Sequence, residues 1–113
     1  MIDWNRVLEL CEEVGAEDFD EVVDLFLDEV QEVISRLQDH PDPTQLEADF
    51  HFLKGSALNL GFDAFAALCE AGESKASAGN DAGGDLPNVL TCYASSREVF
   101  LKDLPQKLAP PAA

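Results

Sequence analysis

The sequence predicts an all-α protein, an antiparallel four-helix bundle in which successive helices run up, down, up and down. Apolar residues recur at intervals of three and four along most of the chain, which is the spacing of one face of an α-helix. Alternating strand patterns are not seen. Breaks rich in glycine and proline separate the amphipathic segments, and short connections between long helices favour antiparallel neighbours.

A short extra N-terminal helix is predicted from Asp3 to Val14, because Gly15 can end it. We expect this helix to lie across one end of the bundle. The second helix is predicted to begin at Asp18, which together with Glu21 has the spacing of a capping box, and to reach about Asp39. Its predicted apolar face consists of Val22, Val23, Phe26, Val30, Val33, Ile34 and Leu37.

Two further helices follow a break at residues 40–43. Asp42, with a proline directly behind it, is a start signal for the third helix, which is predicted to run to about Leu60. Gly61 can adopt the left-handed conformation that ends a helix, and Asp63 is predicted to cap the fourth helix. The turn between the third and fourth helices should therefore be tight.

The C-terminal part of the chain is predicted to form a loop and one more helix. Glycines and polar residues indicate a loop from Ala78 to Asp85, and Pro87 near a first turn opens the fifth helix. Pro105 is expected to fray this helix. We therefore predict one domain, a helical bundle over residues 1–108, followed by a frayed tail at residues 109–113.

The composition narrows the possible partners and the compartment. Asp and Glu number 23 against 7 Lys and Arg, and the formal net charge of -16 disfavours nucleic acid and anionic lipid and favours a soluble monomer. No segment reaches the length of a membrane span or resembles an export signal, so we expect a cytoplasmic protein. Three unpaired cysteines suit a reducing compartment, where we expect them to pack in the core: Cys11, Cys69 and Cys92.

The predicted third helix has two distinct faces. One face carries only apolar residues and is expected to point into the core: Leu46, Phe50, Leu53, Ala57 and Leu60. A second face, well rotated from the first, carries His51, Lys54, Gly55 and Leu58. His51 is therefore expected to point to solvent, with Lys54 and Gly55 about one turn further along the same face.

This second face fits the chemistry of a phosphorylated histidine. A glycine inside a helix costs about 1 kcal/mol relative to alanine, so Gly55 beside an exposed histidine needs a reason, and access to the imidazole supplies one. Lys54 can offset the charge of a phosphoryl group on His51. Exposed Leu58 offers an apolar contact to a second protein.

The run from His51 to Gly61, HFLKGSALNLG, resembles the signature of histidine-containing phosphotransfer (HPt) domains, H-x-L-K-G-S-A followed by a Leu-Gly turn. The resemblance implies a helical bundle in which His51 is the phosphoacceptor through its Nε2 atom. It also implies that Lys54 stabilises the phosphoryl oxygens and that Gly55 provides steric clearance.

Two residues near the predicted site are assigned by this resemblance and by helical spacing. Family members often have a glutamine on the following helix that hydrogen-bonds the imidazole, and the position aligned with it here is Glu73. A carboxylate there would orient the ring, although it would also repel an attached phosphoryl group. We assign Glu73 and Leu58 to the partner-binding surface. Phe52 shares neither the core face nor that of His51.

The resemblance implies a relay of phosphoryl groups between aspartates of receiver domains, in a response regulator, a hybrid histidine kinase or both. It implies no cofactor on this chain, since Mg²⁺ is expected on the partner receiver domain. No glycine-rich phosphate loop or Walker lysine is present, so we expect a phosphotransfer intermediate without ATP binding or autokinase activity. We expect no metal site, because only two histidines occur and His40 lies in a turn.

Two alternatives remain open at the level of sequence. One is a module of the same fold that docks on a receiver domain without transferring phosphate. The other is an unrelated structural bundle, in which an exposed leucine beside a mid-helix glycine would be accidental.

Overall fold

The computed structural model describes residues 1–79 and 86–108, which form five α-helices. These are α1 (Trp4–Val14), α2 (Ala16–Asp39), α3 (Leu46–Leu60), α4 (Asp63–Ser77) and α5 (Leu86–Leu108). A 3-10 turn at Pro43–Gln45 leads directly into α3. The all-α prediction is confirmed. None of the helices in the described ranges is long and apolar enough to cross a membrane.

Helices α2 to α5 pack around one core, and α3 and α4 share the most extensive contact. The order of ring contacts between α4 and α5 gives their relative direction. The ring of Phe62 lies 5.2 Å from that of Phe100, and the ring of Phe65 lies 5.3 Å from that of Tyr93. Later residues of α4 therefore meet earlier residues of α5, as in the predicted antiparallel bundle.

The core is built largely from phenylalanine rings and aliphatic side chains. Five phenylalanines are fully buried: Phe19, Phe50, Phe62, Phe65 and Phe100. All five residues that helical spacing placed on the inner face of α3 are buried as well. Burial of these large side chains removes apolar surface from water, which is the main favourable contribution to folding.

Helix α1 closes the end of the bundle at which α3 gives way to α4. Its N-cap is Asp3, and the carboxylate of Asp3 accepts a hydrogen bond from the backbone N–H of Arg6. The backbone N–H of Asp3 donates a hydrogen bond of 2.7 Å to the carbonyl of Gly61. The ring of Trp4 stacks on that of Phe100 at 5.9 Å. These contacts attach α1 to both α3 and α5, as the prediction of a helix across one end requires.

The connection between α2 and α3 is fixed by two carboxylates. Arg36, near the end of α2, donates two hydrogen bonds of 2.8 and 2.7 Å to Asp49 on α3, whose side chain is almost fully buried. Asp42 accepts hydrogen bonds from the backbone N–H and the hydroxyl of Thr44, and these bonds lower the pKa of Asp42. Asp42 therefore caps the 3-10 turn at Pro43–Gln45, whereas α3 itself begins later than predicted, at Leu46, with Gln45 as its N-cap.

The start predicted for α2 is wrong. The helix begins at Ala16, and its N-cap is Gly15, with a positive φ of 88° and no capping side chain. Because Gly15 both ends α1 and starts α2, no room remains for a separate capping box at Asp18 and Glu21. Asp18 instead lies in the first turn of α2, where a negative charge interacts favourably with the helix dipole.

Two other boundary predictions are corrected. Phe62 is the N-cap of α4 and Asp63 is its first residue, because the carbonyl of Phe62 accepts the first helical hydrogen bond, from the N–H of Ala66. Helix α5 continues through Pro105 to Leu108, where Leu108 packs against the core and Lys107 lies 5.6 Å from the Trp4 ring centroid. These contacts hold the last turn in helical form, although Pro105 has no backbone N–H to donate to the preceding turn.

Some predictions concern residues outside the described ranges. They are the predicted loop at its positions 80–85 and the tail at 109–113. The domain boundary drawn at residue 108 remains a prediction.

Replacement of Gly61 by alanine tests the tight turn between α3 and α4. Gly61 has a φ of +76°, and a Cβ atom there would lie 2.6 Å from the Asp3 carbonyl oxygen. We expect Gly61→Ala to lower the free energy of unfolding by about 2 to 3 kcal/mol, because the strain of a positive φ and the clash with the backbone of Asp3 both destabilise the folded state. Urea denaturation measures this loss.

The matched control is Gly79→Ala. Gly79 has a φ of +77°, but apart from its chain neighbours a Cβ atom there would meet no atom of the described residues within 4 Å, so only the strain of about 1 kcal/mol is expected. Equal losses in the two variants would contradict the close approach of α1 to this turn.

Candidate functional site

His51 lies in the second turn of α3, with its side chain 71% exposed. Leu58 is 57% exposed, and Gly55 is exposed between them. Apart from the backbone of its own helix and its chain neighbours, no atom of the described residues lies within 4 Å of where a Cβ of residue 55 would stand. Lys54 is half-buried beside them. The predicted division of α3 into a core face and a solvent face is confirmed, and the imidazole is open to approach by another molecule.

The carboxylate of Glu73 joins two of the predicted site residues. Its Oε2 atom lies 2.7 Å from Nδ1 of His51, and its Oε1 atom accepts a hydrogen bond of 2.6 Å from Nζ of Lys54. Glu73 belongs to α4 and is itself mostly buried, with 20% of its side chain exposed. One carboxylate therefore fixes the positions of both the imidazole and the ammonium group.

This arrangement determines which nitrogen of His51 carries the proton. The pKa of Glu73 is lowered, mainly by the hydrogen bond from Lys54. Burial acts in the opposite direction and raises this pKa, while the hydrogen bond with His51 lowers it further. An ionised carboxylate only accepts hydrogen bonds, so Nδ1 of His51 must be the donor. The lone pair of the neutral ring is then on Nε2. The same contact with Glu73 raises the pKa of Lys54.

A close approach of α3 and α4 brings these side chains together. At Gly72, a Cβ atom would lie 2.8 Å from the ring of Phe50, so only glycine permits this spacing. Phe50 and Gly72 directly precede His51 and Glu73 in the chain. The helical pattern of α4 alone gives no sign that Gly72 sets the spacing of the two helices at His51 and Glu73.

Two shallow depressions involve residues of this surface, one lined by His51 and the other by Lys54 and Leu58. One has a volume of about 470 Å³ and is lined by Thr44, Gln45, Glu47, Ala48, His51 and Glu73. The other has a volume of about 310 Å³ and is lined by Lys54, Leu58, Asp63, Ala66, Ala67 and Glu70. Both are open to solvent, so the surface is suited to contact with a folded partner.

The remaining residues of interest lie apart from the His51–Glu73 contact. Phe52 is half-exposed at 38%, and His40 is an exposed residue at the C-terminal end of α2. Cys69 is buried, which raises the pKa of its thiol to about 12, while Cys11 and Cys92 are half-buried. A thiol with so high a pKa is unreactive, in agreement with core packing.

Comparison with known proteins identifies the family. The sequence model of the Hpt domain matches residues 21–104, a span that covers about three quarters of the 113-residue chain and includes the whole of α3 and α4. No curated protein and no solved structure matches the chain. The matched span contains the exposed His51 and its contact with Glu73. The chain therefore belongs to the Hpt domain family, the helical bundles of histidine phosphotransfer in phosphorelays.

Proposed function

We propose that this protein relays a phosphoryl group between aspartates of receiver domains through a phosphohistidine at Nε2 of His51. The observation that supports this proposal is the hydrogen bond between Nδ1 of His51 and Glu73, which leaves Nε2 as the available nucleophile on an exposed ring. Family membership supports phosphotransfer by a histidine in general. The assignment to His51 rests on its geometry.

In the proposed reaction, Nε2 of His51 attacks the phosphorus atom of a receiver phosphoaspartate in line with the bond that breaks. The new N–P bond forms as the P–O bond to aspartate is lost, and the aspartate leaves as a carboxylate. The phosphorylated ring keeps its Nδ1 proton and becomes positively charged, and this charge faces the carboxylate of Glu73 at 2.7 Å. Transfer to a second receiver aspartate is the reverse of these steps.

Lys54 is proposed to stabilise the transferred phosphoryl group. Its ammonium group is bound to Glu73 before transfer, at 2.6 Å, and it lies on the same face of α3 as His51. A phosphoryl group on Nε2 would add negative charge next to this ammonium and compete with Glu73 for it. Lys54 would thereby offset the repulsion between the phosphoryl oxygens and the carboxylate.

The proposed partners are receiver domains of response regulators or hybrid histidine kinases, and the proposed functional form of this protein is a monomer. Gly55 allows the partner backbone to approach, and Leu58 supplies an apolar contact beside Ala66 and Ala67. We propose that the chain needs no cofactor, with Mg²⁺ held by the receiver domain, and that it acts in the cytoplasm.

A module that docks on receivers without transferring phosphate is the second candidate. The observation that favours it is the ion pair between Lys54 and Glu73, because this pair already occupies the charge that would stabilise a phosphoryl group. The exposed Nε2 atom of His51 favours the relay. The two functions predict different outcomes in the following experiment.

The relay is tested by incubating the protein with receiver domains of the same organism that carry labelled phosphoaspartate. We expect the label to appear on the wild type as an acid-labile, base-stable phosphohistidine, because N–P bonds have this stability. His51→Gln should remain unlabelled, and His40→Gln, which alters an exposed histidine outside the site, should be labelled normally. Binding of receivers without labelling of the wild type would favour the docking module.

Replacement of Gly55 by leucine tests the proposed clearance for the partner. Apart from its own helix backbone, a Cβ at this position would meet no atom of the described residues within 4 Å, so Gly55→Leu should fold normally and gain helix propensity. We expect transfer from a phosphorylated receiver to slow by about 100-fold, because the partner can no longer reach the in-line geometry. Phosphorylation by phosphoramidate, a small donor that needs no docking, should change little. Equal slowing with both donors would contradict a role in clearance.

The ion pair of Glu73 gives the stability of the protein a defined dependence on pH. Because the folded-state pKa of Glu73 is lowered from 4.5, the pair stabilises the fold above that pH, and this contribution is lost as the pH falls through the lower folded-state value. We expect the difference in unfolding free energy between wild type and Glu73→Gln to shrink on acidification from pH 7 to pH 3. Urea denaturation at each pH measures it.

The control for this prediction is Glu12→Gln, which changes an exposed carboxylate on α1. A Glu73→Gln difference that stays constant from pH 7 to pH 3 would show that Glu73 is not bound as an ionised partner of Lys54.

A further inference from the structure

A groove of about 690 Å³ lies beside the N-terminal half of α2, on the side turned away from the buried Val23 and Leu27. It is lined by Val14, Asp18, Glu21, Val22, Asp24, Leu25 and Asp28. None of these residues lines the depressions around His51. The groove is therefore a separate feature of the surface, which the proposed phosphotransfer does not use.

Part of the lining of this groove is apolar. Leu25 is 60% exposed, the highest value among the large exposed hydrophobic side chains of the described ranges, and Val14 and Val22 are half-buried. A single exposed leucine is common on protein surfaces and has no meaning alone. Here the leucine shares the lining with two valines and four carboxylates, and apolar surface bordered by polar groups is typical of an interaction site.

The rim of the groove consists of carboxylates. The side chains of Asp18, Glu21, Asp24 and Asp28 form no ion pair or hydrogen bond with the described residues. Asp24 and Asp28 are four residues apart on α2, where like charges repel across one helical turn. A solvated acidic face would account for the carboxylates but not for the exposed apolar side chain of Leu25 and the two valines in the same lining. A cationic partner would satisfy both features.

The dimensions of the groove suit a helix. Its lining on α2 extends from Asp18 to Asp28, ten residues along the sequence, which corresponds to about 15 Å along the helix axis. Val22 and Leu25 lie on one side of α2, so an apolar helix face can pack against them. Lysine or arginine side chains on either flank of that helix would reach the rim carboxylates.

We propose that the groove beside the N-terminal half of α2 is a docking surface for a basic amphipathic helix of a partner protein. A second copy of this chain is a poor occupant, because it would bring another acidic surface to the same carboxylates, and the net charge is already -16. Docking here leaves His51 exposed, so this inference does not depend on phosphotransfer.

The test uses a synthetic leucine–lysine peptide of about 15 residues, with leucines at helical spacing on one face. Addition of the peptide to isotope-labelled protein should shift the amide NMR signals of Val14, Val22, Leu25 and their neighbours. A glutamate-for-lysine version of the peptide should cause no shifts. Shifts spread over all acidic surfaces, absence of binding, or concentration-dependent self-association through Leu25 would overturn the proposal.

Two pairs of matched variants separate the contribution of the groove to peptide affinity from that of general charge attraction. Leu25→Asp should weaken peptide affinity by at least about tenfold, whereas Leu101→Asp, at a leucine of α5 that is 41% exposed, should change it little beyond the added charge. Because both leucines are exposed, both variants should fold. Equal weakening by the two aspartates would overturn the proposal.

The second pair removes charge from the same helix at two places. Asp24→Asn with Asp28→Asn neutralises the rim, and Asp20→Asn with Asp39→Asn neutralises exposed positions of α2 that do not line the groove. We expect the rim pair to weaken the affinity several-fold more than the control pair and to reduce its dependence on salt. Phosphoryl transfer to His51 should be unchanged in both. Equal loss of peptide affinity would contradict a built docking surface.

Discussion

The contact between the ring of Phe50 and the backbone of Gly72 controls the geometry of the candidate site. A side chain at Gly72 would meet three atoms of that ring at 2.8 to 2.9 Å, so the glycine allows α4 to lie closer to α3 than any other residue would. Each of these residues is joined by a peptide bond to a site residue, His51 or Glu73. Since protein interiors are tightly packed, this contact in the core fixes the spacing of α3 and α4. At the surface, Nδ1 of His51 then lies 2.7 Å from Oε2 of Glu73.

The electrostatic interactions of the site depend on this short distance between Nδ1 of His51 and Oε2 of Glu73. Lys54 lowers the pKa of Glu73, and the ionised carboxylate then accepts a hydrogen bond from the Nδ1–H group of His51. An amide in place of Glu73 would have both a donor and an acceptor and would define the tautomer less strictly. The carboxylate has an opposite effect on a phosphorylated ring, because it faces the cationic imidazole favourably and the phosphoryl oxygens unfavourably. Lys54 lies where it can offset this second interaction.

The sequence predicted those features that depend on local chemistry. The core face of α3 and the left-handed turn at Gly61 follow from helical period and from the special backbone of glycine, and both are confirmed. The predicted start of α2 was wrong because Gly15 both ends α1 and precedes the first residue of α2. The predicted end of α5 was wrong because tertiary contacts hold the last turn of the helix despite Pro105. The contacts of Glu73 with His51 and Lys54 join two helices. They could not be predicted, because the residue pattern within one helix carries no information about its distance from another helix.

The large negative charge of this protein is compatible with docking to receiver domains, whose phosphorylation sites are themselves acidic. At physiological salt, exposed charges more than about 8 Å apart are largely screened. The acidic groove of α2 shares no lining residue with the depression at His51, so its carboxylates would act mainly on a partner bound in the groove. In the proposed docking at His51, the immediate surroundings decide the fit, since Leu58 would supply apolar surface and Lys54 positive charge. The two proposed surfaces would therefore select partners of different chemistry.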